Sequence, residues 1–181
     1  MNTIVRRAVA NDLEGIQEVL YRTWLVTYPN AHHGISVDDI EDRFHDRHDP
    51  EHIAQRRAQL AFPPHGQSLL VAVQGTSIIG VCRATRHLHN NQLRALYVLP
   101  EFQQQGVGST LWGSVRLQLS TAHPTIVEVA SYNTRAIRFY SSLGFHDTGM
   151  RKVDTRFRMR SGSVIPEIVM RREADVGNEN S

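Results

Sequence analysis

The chain has 181 residues, 40% of them hydrophobic and 21% charged, with a formal net charge of +2. That is enough for one domain with a real core, and the scattered arginines exclude the dense basic footprint of a nucleic-acid binder. The single cysteine, Cys82, excludes an internal disulfide, and with no long apolar span or apolar leader the expectation is a cytoplasmic protein that neither crosses nor binds a membrane.

In chain order, "TIVRRAV" predicts a strand, and Asn11 or Asp12 is placed to cap a helix carrying Leu13, Ile16, Val19 and Leu20 at helical spacing. That helix runs through Trp24 toward Tyr28 and stops before Pro29. A second helix begins at Ser36, with Asp39 at the third position of a capping box and Ile40 and Phe44 on one face. A third is predicted over Ile53 to Leu60, closed by Pro63-Pro64-His65-Gly66. Three strands follow, "SLLVAV", "SIIGVCRATRHL" and "NQLRALYVL", separated by turns at Gln74-Gly75-Thr76 and Asn90-Asn91 and read as an antiparallel meander. Beyond Pro100 come a helix through Leu111, Val115 and Leu119, the strand "TIVEVAS", a helix from Asn133 to Leu143 ended by Gly144, and strands near Phe145–Val153 and Val164–Met170. The fold class is α/β (α+β), one domain over residues 1–173, with a disordered tail over 174–181.

The stretch "FQQQGVGS" joins a strand to a helix. Gly106 and Gly108 stand where unpartnered backbone N–H groups and the helix dipole favour a phosphate. An ordinary strand-to-helix turn is the competing reading. A nucleoside-triphosphate loop needs a lysine before the hydroxyl residue, and Ser109 follows Gly108 directly. A dinucleotide fingerprint would put its third glycine at Leu111 and needs a parallel unit in place of a meander.

Val98-Leu99-Pro100 followed by Gln103-x-x-Gly106-x-Gly108 resembles the signature of the GCN5-related N-acetyltransferase (GNAT) superfamily. Asn133-Thr134-Arg135-Ala136-Ile137-Arg138-Phe139-Tyr140 through Gly144-Phe145 is similar to that family's second motif. The resemblance implies a mostly antiparallel, splayed central sheet flanked by helices, and acetyl-CoA as cosubstrate with no metal. It also implies an enzyme that moves the acetyl group to a primary amine by direct attack. It places the pyrophosphate on Gln103, Gln104, Gln105, Gly106, Val107, Gly108 and Ser109, and the pantetheine arm along Leu96, Tyr97 and Val98 like an added strand. A gap between "LYVL" and "IVEV" is therefore expected, with the Val98 backbone near the developing oxyanion. Asn133 matches a cofactor contact and is also an ordinary helix cap.

Tyr140 matches the position that supplies the acid for the departing thiolate. It also shares a helix face with Ala136, Ile137 and Leu143, which makes core packing its other use. Glu128 stands in an apolar strand beside Ile126 and Ala130. The two readings are a base or water-relayed proton path, as in some protein-amine acetyltransferases of the family, and a solvated or ion-paired carboxylate. Trp24 and Tyr28, four residues apart, can line an amine pocket or fill core. Asp38, Asp39, Glu41 and Asp42 suit a polyamine, against a solvated acidic face. His45, His48 and His52 read as polar surface, being interrupted by Asp49-Pro50, and Cys82 reads as a buried hydrophobe.

The expected acceptor is a small amine or polyamine, the alternatives being a protein N-terminus or lysine, or an inactive acyl-CoA sensor. Neither the acceptor nor a dimer, frequent in the family, is fixed by any residue here.

Overall fold

The structure is a computed structural model that describes residues 2–153, 155 and 158–175. The first strand, β1 (Thr3–Arg7), leads into α1 (Leu13–Thr27), whose buried residues Leu13, Ile16, Val19 and Thr23 recur every three or four positions and so share one face. The cap differs from expectation. Asp12 occupies the cap position, but its carboxylate receives the Arg6 guanidinium at 2.6 and 2.8 Å and the Val9 N–H at 2.8 Å. A charged fork outcompetes a neutral helix N–H for the same oxygens.

Helix α2 (Val37–Arg43) carries the expected capping box: the Ser36 hydroxyl accepts from Asp39 N, and the Asp39 carboxylate accepts from Ser36 N. Helix α3 (Pro50–Ala61) begins three residues earlier than the apolar pattern suggests. Asp49 caps the N–H groups of Glu51 and His52, and Pro50 takes the first helical position, where a missing N–H costs nothing.

Strands β2 (Gln67–Gln74), β3 (Ser77–Arg86) and β4 (Asn91–Val98) form the antiparallel meander. Then come α4 (Val107–Arg116), β5 (Thr125–Ala130), α5 (Thr134–Ser142), β6 (His146–Val153) and β7 (Pro166–Arg172). Helix α4 stops short of Leu119, which is nevertheless buried. The seven strands lie in the order β1-β2-β3-β4-β5-β7-β6, antiparallel except where β4 meets β5. Val81 and Cys82 are successive and both fully buried, so helices cover both faces of the sheet. Of the expected disordered tail, Asp175 is described and pairs with Arg116 and Arg172; residues 176–181 lie outside the described residues.

The junction of β4 and β5 positions the site. The two strands pair in parallel only over Asn91–Leu93 with Thr125–Val127. At the closed end Asn91, read from the sequence as a turn residue, is fully buried. Its amide donates to the carbonyls of Ser120 and His123 and accepts from Ser120 N, locking the connection that leads into β5. One residue past the last pair, β4 takes an extra residue, Arg94, opposite the Arg83–Ala84 step of β3. Such a bulge bends its strand and increases the local twist. From Arg94 to Val98, β4 therefore diverges from β5, and the expected gap opens between them.

Candidate active site

The alternation of the β3–β4 ladder determines which backbone groups face the gap. Leu99 N donates to Ile79 O, so Tyr97, two residues earlier and opposite Val81, is also turned toward β3. Leu96 and Val98 then present their N–H and C=O groups to the opening. Of the expected pantetheine-facing residues, Leu96 and Val98 offer main chain, whereas Tyr97 offers its side chain on the other face. The Val98 carbonyl receives the Gln103 side-chain amide at 2.9 Å, and the Gln103 carbonyl oxygen accepts from Arg135 of α5. Gln103 thereby ties β4, the loop and α5 together.

Gln104 and Gly106 both adopt left-handed backbone, with φ of 62° and 83°. Together they turn the chain so that α4 starts at the mouth of the gap. The first bond of its ladder comes from Thr110 N to Gly106 O, leaving the N–H groups of Val107, Gly108 and Ser109 without intrahelical acceptors. No acidic residue lies in that first turn to neutralise them. The glycines act differently. A Cβ on Gly106 would meet nothing within 4 Å, so this face of the loop is open. A Cβ on Gly108 would stand 3.1 Å from Phe139 and 3.5 Å from Leu96, so Gly108 lets α5 close on α4. Asn133 caps α5 by accepting from Ala136 N at 3.0 Å, which leaves its amide N–H₂ available.

Tyr140 is buried against Phe139 and Phe145, with ring centroids 5.4 and 5.6 Å away. Its hydroxyl has no hydrogen-bond partner among the described residues. Burial, with Tyr97 and Cys82 nearby, pushes the phenol well above its ordinary pKa. Tyr97 meets Tyr28 hydroxyl to hydroxyl at 2.9 Å, and Tyr132 donates to the Tyr28 carbonyl at 2.9 Å. Trp24 lies 4.2 Å from Tyr28 between centroids and also packs on Phe44, with the Arg43 guanidinium over its ring at 4.6 Å. Trp24 and Tyr28 thus serve the core beside Ile35 and Ile40 and wall the aromatic cluster at once.

Glu128 is not brought to Tyr140. Val127 and Val129 pack in the core with Tyr140, so alternation turns Glu128 to the other face of β5, where it pairs with Lys152. Glu167, opposite both Ala130 and Lys152, is on that same face. The acidic stretch of α2 is divided. Burial works to raise the Asp39 pKa, but hydrogen bonds from Ser36 and Ser161 outweigh it and hold it at about 2. Asp38, Glu41 and Asp42 are exposed. His52 lies 3.2 Å from Asp46, and no cluster of three metal-ligating side chains is present among the described residues. Cys82 is fully buried, its thiol pushed far up by burial. Sequence reasoning missed the side chain of Tyr97, together with Tyr132, Lys152 and Glu167. Only the alternation of β4 hinted that Tyr97 faces away from Leu96 and Val98.

An acetyltransferase (GNAT) domain model matches residues 29–160, which contain the loop, the gap and α5. The chain belongs to the GNAT acetyltransferase family. Solved structures of similar fold include the PaiA N-acetyltransferase of Thermoplasma acidophilum in complex with coenzyme A, at 19% identity and a TM-score of 0.61, over 96% of this chain and 99% of that one. The ribosomal-protein-S18-alanine N-acetyltransferase of Escherichia coli is 17% identical with a TM-score of 0.65, over 99% of both chains. The putative acetyltransferase yncA of Salmonella typhimurium, solved with its cofactor acetyl-CoA, is 19% identical with a TM-score of 0.62, over 100% of this chain and 99% of that one. No curated protein sequence matches the chain. Among the described residues of this GNAT acetyltransferase, no helix is long and apolar enough to cross a membrane.

Proposed function

We propose that the chain transfers the acetyl group of acetyl-CoA to the nitrogen of a small primary amine by direct attack on the thioester. The observation that carries this reading is the gap beyond Arg94, where the Leu96 main chain and the Val98 N–H are left unpaired by the β3–β4 ladder, with Tyr140 of α5 buried near Tyr97 and Cys82.

The residues present fit coenzyme A. The amides of Val107, Gly108 and Ser109, at the positive end of α4 and on a loop face left open by Gly106, suit a pyrophosphate. The pantetheine amides would continue the sheet along Leu96 and Val98. The acyl thioester supplies the activated carbonyl. The amine nitrogen bonds to that carbon, the C–S bond breaks through a tetrahedral oxyanion facing the Val98 N–H, and Tyr140 gives its proton to the sulfur. The proton lost by the amine returns to the site through water; Glu128, whose Oε1 pairs with Lys152, is a weaker base for it than an unpaired carboxylate would be.

Small acceptors are favoured because Tyr28, Tyr97 and Tyr132 wall the acceptor side through direct bonds between α1, β4 and the β5–α5 connection. Asp39 is committed to Ser36 and Ser161, which weakens the case for a polyamine.

The test is thiol release from acetyl-CoA against small amines, polyamines and peptides, with Tyr140→Phe alongside. Release that depends on a small amine and falls in the variant supports the proposal. Release driven only by peptides would move the acceptor to a protein amine. Thermal stabilisation by acetyl-CoA with no release for any amine would leave a sensor.

A further inference from the structure

At the closed end of the β4–β5 junction, away from the gap, lies a cavity of about 400 Å³ that the proposed acetyl transfer does not involve. The sheet register builds it. Arg7 of β1 stands opposite Leu70 of β2, Ser68 stands opposite Ala84 of β3, and Arg86 follows Ala84 by two residues. Residues two apart along a strand share a face, so Arg7, Ser68 and Arg86 form a diagonal row on one face, with neighbours about 7–8 Å apart. Gln118, just past α4, reaches the same row: its Oε1 lies 3.5 Å from the Arg7 guanidinium. The facing lip is Pro63-Pro64, held by bonds from Gln67 N to Pro64 O at 3.0 Å and from Arg86 N to Gly66 O at 2.9 Å. Arg7 and Arg86 are exposed, whereas Ser68 between them is only 8% exposed and its hydroxyl has no hydrogen-bond partner among the described residues. A buried hydroxyl without a partner is costly unless an occupant of the cavity bonds it. Among the described residues no acidic side chain lines this cavity.

We infer that this cavity is a second ligand site and takes a small phosphate monoester. The donors that line it come from three strands: guanidinium forks from β1 and β3, and the Ser68 hydroxyl from β2. A tetrahedral phosphate offers acceptor oxygens in several directions at once, whereas a planar carboxylate is satisfied by one fork. The volume is that of a small-molecule site and exceeds what a bare anion fills. The organic part of the ester is therefore placed against Pro63 and Pro64, with Phe62, 83% exposed, next in the chain. Arg86 stands opposite Asn91, and Gln118 precedes Ser120 by two residues, so an occupant bridges the two segments that the Asn91 side chain joins. This site is independent of the proposed acetyl transfer and separate from the N–H groups of Val107, Gly108 and Ser109.

The experiment titrates the full chain with phenyl phosphate, phenol, benzoate and sulfate, and follows the backbone amide NMR shifts of Gly66, Gln67 and Ser68. Wild type is compared with Arg7→Gln, Arg86→Gln and Ser68→Ala, and a dispersed amide spectrum shows that each variant is folded. Phenyl phosphate should move those three amides, and phenol should not. Its affinity should fall about 10-fold or more in each arginine variant, as the loss of a charged hydrogen bond does, and by less in Ser68→Ala. Benzoate binding as tightly as phenyl phosphate would replace the phosphate with a carboxylate and overturn the class named here. Sulfate binding as tightly would leave an adventitious ion only and overturn the monoester. Shifts confined to Val107, Gly108 and Ser109, or an affinity unchanged in both arginine variants, would overturn the site itself. None of these readings needs turnover, so a failure of acetyl transfer shows separately in thiol release.

Discussion

Asn91 and Ser120 exchange hydrogen bonds, the fully buried Asn91 amide donating to Ser120 O at 2.9 Å and accepting from Ser120 N at 3.0 Å. This pair closes the β4–β5 junction at one end while the bulge at Arg94 opens it at the other. The V between the strands is therefore set by two local features of β4.

Asn91→Ala removes three side-chain bonds and leaves the half-buried Ser120 N–H without its acceptor. The expected cost is about 3 kcal/mol of stability, measured by urea unfolding, with weaker binding of coenzyme A by the folded fraction. A change below about 1 kcal/mol would show that the junction does not depend on this latch.

Tyr140→Phe removes a buried hydroxyl that bonds no described residue, so the variant should unfold with no loss of stability. If Tyr140 is the acid, kcat should drop 10-fold or more with acetyl-CoA affinity retained. Because burial raises its pKa, the phenol stays protonated as pH rises. The kcat profile should then show no falling limb from this group near pH 10; such a limb, lost in the variant, would contradict the assigned environment.

The two loop glycines are expected to fail differently. Gly106→Ala places a side chain at φ 83°, a backbone strain of roughly 1–2 kcal/mol without a clash. Gly108→Arg forces its Cβ against Phe139 and fills the mouth of the gap, so calorimetry should find no coenzyme A binding. Wild-type affinity in Gly108→Arg would remove the loop from the cofactor site.

Asp39 links α2 to the segment at Ser161. Since it is held at about 2 when folded, against an ordinary value of 3.8, the folded state binds fewer protons than the unfolded state between those values. Its contribution is complete above about pH 5 and fades as pH falls toward 2. Asp39→Asn should lose about 1–2 kcal/mol at pH 7 and show a shallower stability loss on acidification. An unchanged acid titration of stability would refute this.

The sequence by itself determined the order and kind of the elements. The short apolar run "SLLVAV" and the 3.6-residue spacing of Leu13, Ile16 and Val19, together with local breakers such as Pro63-Pro64, depend only on neighbours along the chain. The loop and α5 were legible for the same reason, since left-handed glycine and an asparagine cap are local devices. Other matters waited for tertiary structure: Asp12 choosing Arg6 over its helix, Asn91 latching Ser120, Glu128 meeting Lys152 on the face away from Tyr140, and Tyr28 meeting Tyr97. Each joins residues through the sheet's register or across packed elements, and a polar side chain commits to whichever partner the fold brings within about 3 Å, information that no local pattern carries.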